Sequence, residues 1–493
     1  MNDHTIDKII RDRARITPER VAIDEGGRRW TYAELDARSD ELARGLAHGD
    51  RVSTLTGNSG EHVALMFACA KVGAILHPIS WRLAPAEIAY QLDDAEPAVF
   101  LIEEEHRLLG EAALALASVR PALELTSNTV LQGHASDSDP LLLIYTSGTT
   151  GKPKGALLTH ANCFWTNLSF DLATVIRPED VVLQVLPQFH CGGWNVQSIL
   201  AWWKGAKIVL ERGFDSARAL ELIERERITS LMGVPANYLF MSQEPRFAEA
   251  DLSSLRLVVV GGAPMPVALL DVWAARGVEI VQGYGLTEAA PNVLCLPPED
   301  ARRKAGYAGK PYPYVECDLS TEGELLVRGP NVFPGYWRNE EASASAFRDG
   351  WLLTGDMAER DDEGNYRIQG RLKDMVVSGG ENVYPAEIEA VLHEHPAIAD
   401  AAVVGVPDET WGEVCAAFVV AESPVLEDEL RKHCQTQLAR FKVPKSFTFV
   451  DELPRNSMGK IQKSELHRRR LDGVGPGAEV PAPPAPGAGE VLA

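Results

Sequence analysis

Short apolar β-type runs alternating with helical stretches predict an α/β protein with mostly parallel sheets. A change of pattern after Asp374 predicts a smaller α+β unit behind it. At about 100–200 residues per domain, the 493-residue chain has room for roughly two to four domains or subdomains.

The strand candidates come first. They are LLLIY (141–145), VVLQVL (181–186), KIVL (207–210), LRLVVV (255–260) and VEIV (278–281). Between them run segments such as SARALELIERERI (216–228), whose apolar positions follow a helical period. The longest apolar stretch, VALMFACAKVGAILH (63–77), is interrupted by Lys71 and falls short of the ~18 residues a membrane span requires. It is expected to be a buried helix. Beyond Asp374 the order is helix PAEIEAVLHEH (385–395), strand AAVVGVP (401–407), strand CAAFVVA (415–421), helix LEDELRKHCQTQL (426–438) and strand SFTFV (446–450). The segments from 473 onward, rich in Pro, Gly and Ala, have no packing pattern and are expected to be disordered.

Composition narrows the function classes. Apolar residues make up 45% and charged residues 24%, ordinary for a globular protein with a large core. A net charge of −22 offers no general attraction to nucleic acid or to anionic membranes. Seven scattered cysteines without a C-x-x-C pair speak against a disulfide framework and a structural zinc site, and for a reducing, cytoplasmic compartment. The charged N-terminus is not a secretory signal.

Four local motifs carry chemistry. YTSGTTGKPKG (145–155) follows strand LLLIY, and its glycines and hydroxyls could wrap phosphate oxygens or form a plain polar turn. It is not a Walker A loop, because Pro153 stands where the magnesium-binding Ser or Thr would be. GYGLTE (283–288) offers a carboxylate beside glycines, suited to magnesium, or a turn capped by Thr287. TGD (354–356) supplies an acid for ribose hydroxyls, or a turn residue, and Arg371 follows as a cation for phosphate. PRNSMGK (454–460) is, by itself, a loop with one lysine.

Together with LPQFHCGGWN (186–195), VGGAPMP (260–266), GYW (335–337), GRLKD (370–374) and SGGENVYPAEIE (378–389), these motifs stand in one order over nearly the whole chain. In that order and spacing the sequence resembles the adenylate-forming superfamily of acyl-CoA synthetases, carrier-loading adenylation domains and firefly luciferase. The resemblance implies two α/β subdomains and a small β-barrel-like piece over 1–370, a hinge at 371–374 pivoting on Lys373, and a mobile α+β domain over 375–472.

It also implies an ATP-dependent activation of a carboxylic acid as its acyl-adenylate, followed by attack of a thiol. In that scheme Lys460 bridges carboxylate and α-phosphate, Thr287 contacts the α-phosphate and Glu288 binds Mg²⁺. Thr146, Ser147, Gly148, Thr149, Thr150, Gly151 and Lys152 hold the departing phosphates. Gly262, Ala263 and Tyr284 bracket the adenine, while Asp356 and Arg371 hold the ribose. Gly380 and Glu381 match the pantetheine tunnel. His190 resembles the gate of the acid pocket, whose walls include Gly261, Gly285 and Trp194, although His190 also reads as a core histidine. Amino-acid-activating relatives carry Asp where this chain has His190, so a non-amino acid is expected: medium-chain, aromatic or bulky. CoA is the expected acceptor, with a separate pantetheinyl carrier protein as the alternative. Nothing in the sequence opposes a homodimer.

Overall fold

The computed structural model describes residues 4–125, 134–146, 152–263, 265–378, 381–408, 411–455 and 461–471. The segment expected to be disordered, 473–493, lies outside the described residues. Contacts divide the chain into two units, Met1–Gln369 and Gly370–Ala493.

The first unit is built on two mainly parallel sheets, as the alternating pattern requires. The larger has nine strands, in the order Lys310–Pro311, Asn292–Cys295, Ile280–Gly285, Leu257–Val260, Ser230–Gly233, Val181–Gln184, Lys207–Leu210, Val21–Glu25 and Arg28–Thr31. Its six central strands are parallel, and antiparallel strands close both edges. The second sheet orders Val99–Ile102, Arg51–Leu55, Ile75–Pro78, Pro140–Thr146 and Lys154–Thr159, with only the last pair antiparallel. Such strands are buried on both faces, which is why LLLIY and LVVV read as unbroken apolar runs. A smaller sheet around Glu324–Arg328 and Trp351–Arg360 is antiparallel in its pairings at 316–328, 324–357 and 347–352.

The stretch 63–77 is not one buried helix. The helix Gly60–Val72 stops at Gly73, which has φ +77°, and the remaining residues enter strand Ile75–Pro78. A side chain at Gly73 would be strained in that conformation and would come within 2.4 Å of the His48 ring. The helix starts at Ser59, whose hydroxyl accepts the His62 amide. Lys71 survives inside it because its ammonium reaches Asp36 Oδ1 and Asp40 Oδ1, both at 2.6 Å, while its own side chain is wholly buried. Among the described residues no helix is long and apolar enough to cross a membrane.

The second unit is a sheet ordered Glu381–Val383, Val376–Ser378, Gly412–Ala421 and Ile398–Asp408, with Ser446–Phe449 running parallel to Gly412–Ala421. Both faces of its long hairpin are covered. Val403, Ala417 and Val419 pack with Ile388 and Leu430 on one side. Ala402, Val404, Ala416 and Phe418 pack with Leu453 and Leu466 on the other. All seven cysteines of the chain are free thiols.

Candidate active site

The phosphate motif starts on strand Pro140–Thr146 and returns along Lys154–Thr159, with Thr146 paired to Lys154. Ser147, Gly148, Thr149, Thr150 and Gly151 lie outside the described residues. The flanks are tied down on both sides. Tyr145 donates its phenol to Asp94 Oδ2 at 2.5 Å, and Tyr90 donates to the Pro153 carbonyl at 3.2 Å. Lys152 is exposed, with its ammonium 5.7 Å from the Tyr90 ring centre. The Trp337 amide donates to the Gly155 carbonyl at 2.7 Å.

Glu288 sits in a single turn, Thr287–Ala289, directly after strand Ile280–Gly285. The cap position of that turn is Leu286, so Thr287 is not its N-cap. The chain folds back so tightly that a Cβ on Gly285 would lie 1.6 Å from the Pro291 carbonyl oxygen; only glycine fits there. Asn331 holds the turn from behind, donating to the carbonyls of Ala289 and Asn292 at 2.9 and 3.0 Å. Glu288 Oε1 accepts the Tyr336 phenol at 2.9 Å and faces the Thr146 hydroxyl at 3.4 Å. A carboxylate with two hydroxyls is an all-oxygen donor set, and it suits a hard divalent cation such as magnesium. Among the described residues, another group close enough to share a cation, Glu103, Glu105 and His106, engages the Arg212 guanidinium with both carboxylates instead.

A second constellation forms at the ends of the neighbouring parallel strands Leu257–Val260 and Ile280–Gly285. Gly261, Gly262 and Ala263 leave the end of strand Leu257–Val260, Gly262 with φ +81°. Gly261 is buried, with room for a Cβ only 2.9 Å from the Met232 methyl, whereas Gly262 and Ala263 are exposed. Tyr284 donates to Asp356 Oδ2 at 2.6 Å, joining residues 72 positions apart. Asp356 lies inside strand Trp351–Arg360 rather than in a free turn. Its amide is held by the Thr354 hydroxyl at 3.1 Å, and the preceding Gly355 amide by Glu324 at 2.8 Å.

The LPQFHCGGWN segment packs as a tight turn. A Cβ on Gly193 would meet the Pro187 carbonyl oxygen at 2.3 Å. Trp194 is fully buried behind this turn, its indole N–H donating to the Gln188 carbonyl at 2.6 Å and its ring meeting His62 edge-on. His190 Nε2 is buried with no hydrogen-bond partner among the described residues. Burial, with Arg82 adding to it, pulls the His190 pKa down to about 4, so the ring is neutral at pH 7. Trp202 is core, edge-on to Phe67. Asn195 ties this segment to the Glu288 region, since its carbonyl accepts Asn292 Nδ2 at 3.4 Å.

In the second unit, half-buried Arg371 ends strand Tyr366–Arg371, and exposed Lys373 lies in the turn Leu372–Asp374. Glu381 opens strand Glu381–Val383 opposite Ser378. Gly380 and Lys460 lie outside the described residues. Sequence reasoning missed Asp94, Tyr90 and Asn331 altogether, because each acts through a fold contact with no motif around it. Tyr336 was visible inside GYW, but nothing local linked it to Glu288.

Comparisons with known proteins agree along the chain. The family model for the AMP-binding enzyme matches residues 10–337, and that for the AMP-binding enzyme C-terminal domain matches 387–460. A feruloyl-CoA synthase from an Amycolatopsis species is 40% identical over 488 residues, covering 93% of this chain and 97% of the relative. An indoleacetate–CoA ligase from Aromatoleum aromaticum is 40% identical over 490 residues, covering 92% and 96%. Among solved structures, the o-succinylbenzoate CoA synthetase of Bacillus subtilis in complex with its acyl-adenylate is 32% identical, covers 93% of this chain and 97% of its own, and superposes with a TM-score of 0.85. The same synthetase is known with ATP and a magnesium ion.

Proposed function

Because this chain belongs to the AMP-binding enzyme family, we propose that it is an ATP-dependent acyl-CoA synthetase acting on an aromatic or similarly bulky, non-amino carboxylic acid. The observation that carries this reading is the Glu288 carboxylate, held by Tyr336 and Thr146 at the edge of the phosphate motif, with the Tyr284–Asp356 pair beyond it. The acid class rests on the feruloyl and indoleacetate relatives and on neutral His190, which offers no anion to a substrate ammonium group.

In the first half-reaction a carboxylate oxygen attacks the α-phosphorus, the bond to the bridging oxygen of the β-phosphate breaks, and pyrophosphate leaves. Anion meets anion, so charge neutralisation and alignment dominate the barrier. Bound at Glu288, magnesium supplies part of that neutralisation. Thr146 and Lys152 face the departing phosphates and Thr287 the α-phosphate, while Tyr284 and Asp356 orient the nucleoside. Lys460 provides the cation between carboxylate and α-phosphate. In the second half-reaction the CoA sulfur attacks the acyl carbon, its proton passes to solvent, and the C–O bond to AMP breaks. Lys460 has no part in that step, which gives a reason for a hinge at Lys373. Seven free thiols favour the cytoplasm as its location.

A panel of acids assayed for pyrophosphate release, with and without CoA, tests the reading. Thioester formed with free CoA is the expected result. Adenylate with no CoA turnover would point to a carrier protein as acceptor, and no pyrophosphate from any acid would reject the reading. Lys460→Ala is expected to abolish adenylate formation while leaving attack of CoA on preformed acyl-adenylate nearly intact.

A further inference from the structure

Six described residues close a ring beside the phosphate motif. Tyr145 donates to the Asp94 carboxylate at 2.5 Å. The Asp94 main-chain carbonyl accepts Trp337 Nε1 at 3.1 Å. Tyr336, next to Trp337, donates to Glu288 Oε1 at 2.9 Å. Thr146 reaches the same oxygen at 3.4 Å and is bonded to Tyr145. Asp94 is the one member whose side chain and main chain grip two different arms of the ring. It belongs to the last turn of helix Pro85–Ala95, outside every motif that carries the family resemblance.

We propose that Asp94 is a positioning residue for magnesium-ATP, fixing Thr146 from one side and Tyr336 from the other so that Glu288 presents a set oxygen to the metal. The inference rests on the reading that Glu288 serves magnesium-ATP. Its physical basis is a phenol-to-carboxylate bond, which is charge-assisted and stronger than a neutral pair. Burial first, then the hydrogen bond to Asp94 and after it the Asp94 charge, push the Tyr145 hydroxyl pKa far above its ordinary value, so it remains a donor at any working pH. A second tie runs in parallel: the Trp337 amide bonds Gly155, on the returning strand of the same motif. Loss of the carboxylate alone would keep the Trp337 contact, since that uses the main chain, and would free only the Tyr145–Thr146 arm.

The test uses the full-length protein with Asp94→Ala, Tyr145→Phe and the double variant. Calorimetry measures ATP binding with and without magnesium, and kinetics separate the acid KM from the rate of CoA attack on preformed acyl-adenylate. Each single variant is expected to weaken magnesium-ATP binding about tenfold, in line with a lost bond to a charged group. The double variant should be no weaker than either single one, because both remove the same bond. Acid KM and thiolysis should change by less than about twofold, as independent sites do. Unchanged magnesium-ATP affinity in either single variant, additive losses in the double, or equal losses in thiolysis would overturn the proposal. Absence of adenylation by the unmodified protein would instead reject the function on which it rests.

Discussion

Glycine decides the geometry at two points of the site. At Gly285 the Pro291 carbonyl oxygen occupies the space of a side chain, and at Gly193 the Pro187 oxygen does the same. Neither contact can be relieved by a rotamer change, because both partners are main chain. Gly285→Ala should therefore displace the Glu288 turn, lower stability by about 3 kcal/mol or more, and remove adenylation. Thermal melting with a pyrophosphate assay checks both, and a variant with native stability and rate would contradict it. The sequence pattern marked GYGLTE, and the family resemblance put Gly285 in the wall of the acid pocket. The tighter constraint is internal, between Gly285 and a carbonyl six residues on, and no local signal announces a contact of that kind.

Elements were legible where period and burial agree. Strands 207–210 and 141–145 were readable almost to the residue, because a parallel strand covered on both faces leaves an uninterrupted apolar run. The 63–77 stretch misled for the same reason: helix and strand were both fully buried, so no period separated them, and only Gly73 marked the break. The site was legible as motifs and not as contacts. Tyr284 with Asp356 and Tyr336 with Glu288 pair across 72 and 48 positions, which spacing cannot reveal. Lys71 belongs to this scale. Lys71→Met would leave Asp36 and Asp40 facing each other without their shared cation. Since both acids keep some solvent, a loss of about 1–3 kcal/mol is expected, read as a lower denaturation midpoint. Restoring stability with Asp36→Asn and Asp40→Asn would identify repulsion as the cause.

At the scale of the molecule, the two units should answer acid differently. Burial lowers His62 and His190 to about 4 and His77 to about 3, all in the first unit. Their unfolded forms bind protons below about pH 6.5 while the folded forms do not, so the first unit loses stability as pH falls from about 7 towards 4. In the second unit burial depresses His393, but its bonds to Asp400 and the Glu389 carbonyl outweigh that, and its pKa is raised. Its contribution is present below the unfolded pKa and fades as pH rises through the folded one. Calorimetry at pH 7.5 and pH 5 should show the transition of the first unit moving down while that of the second moves little or rises. Parallel shifts of both would refute this.

The phosphate motif also carries a lesson for anyone rewriting this gene. Thr146 and Lys154 are ladder partners, so the seven residues between them must start and finish at fixed points. Tyr145 and Pro153 are pinned beyond that by Asp94 and Tyr90. An inserted or deleted codon cannot be absorbed by sliding the strands, because a one-residue slip would turn every side chain of the hairpin to the wrong face. Combinatorial libraries aimed at a new nucleotide preference should vary the letters between 147 and 153 and never their number, and natural length variants are expected to fall elsewhere along the reading frame.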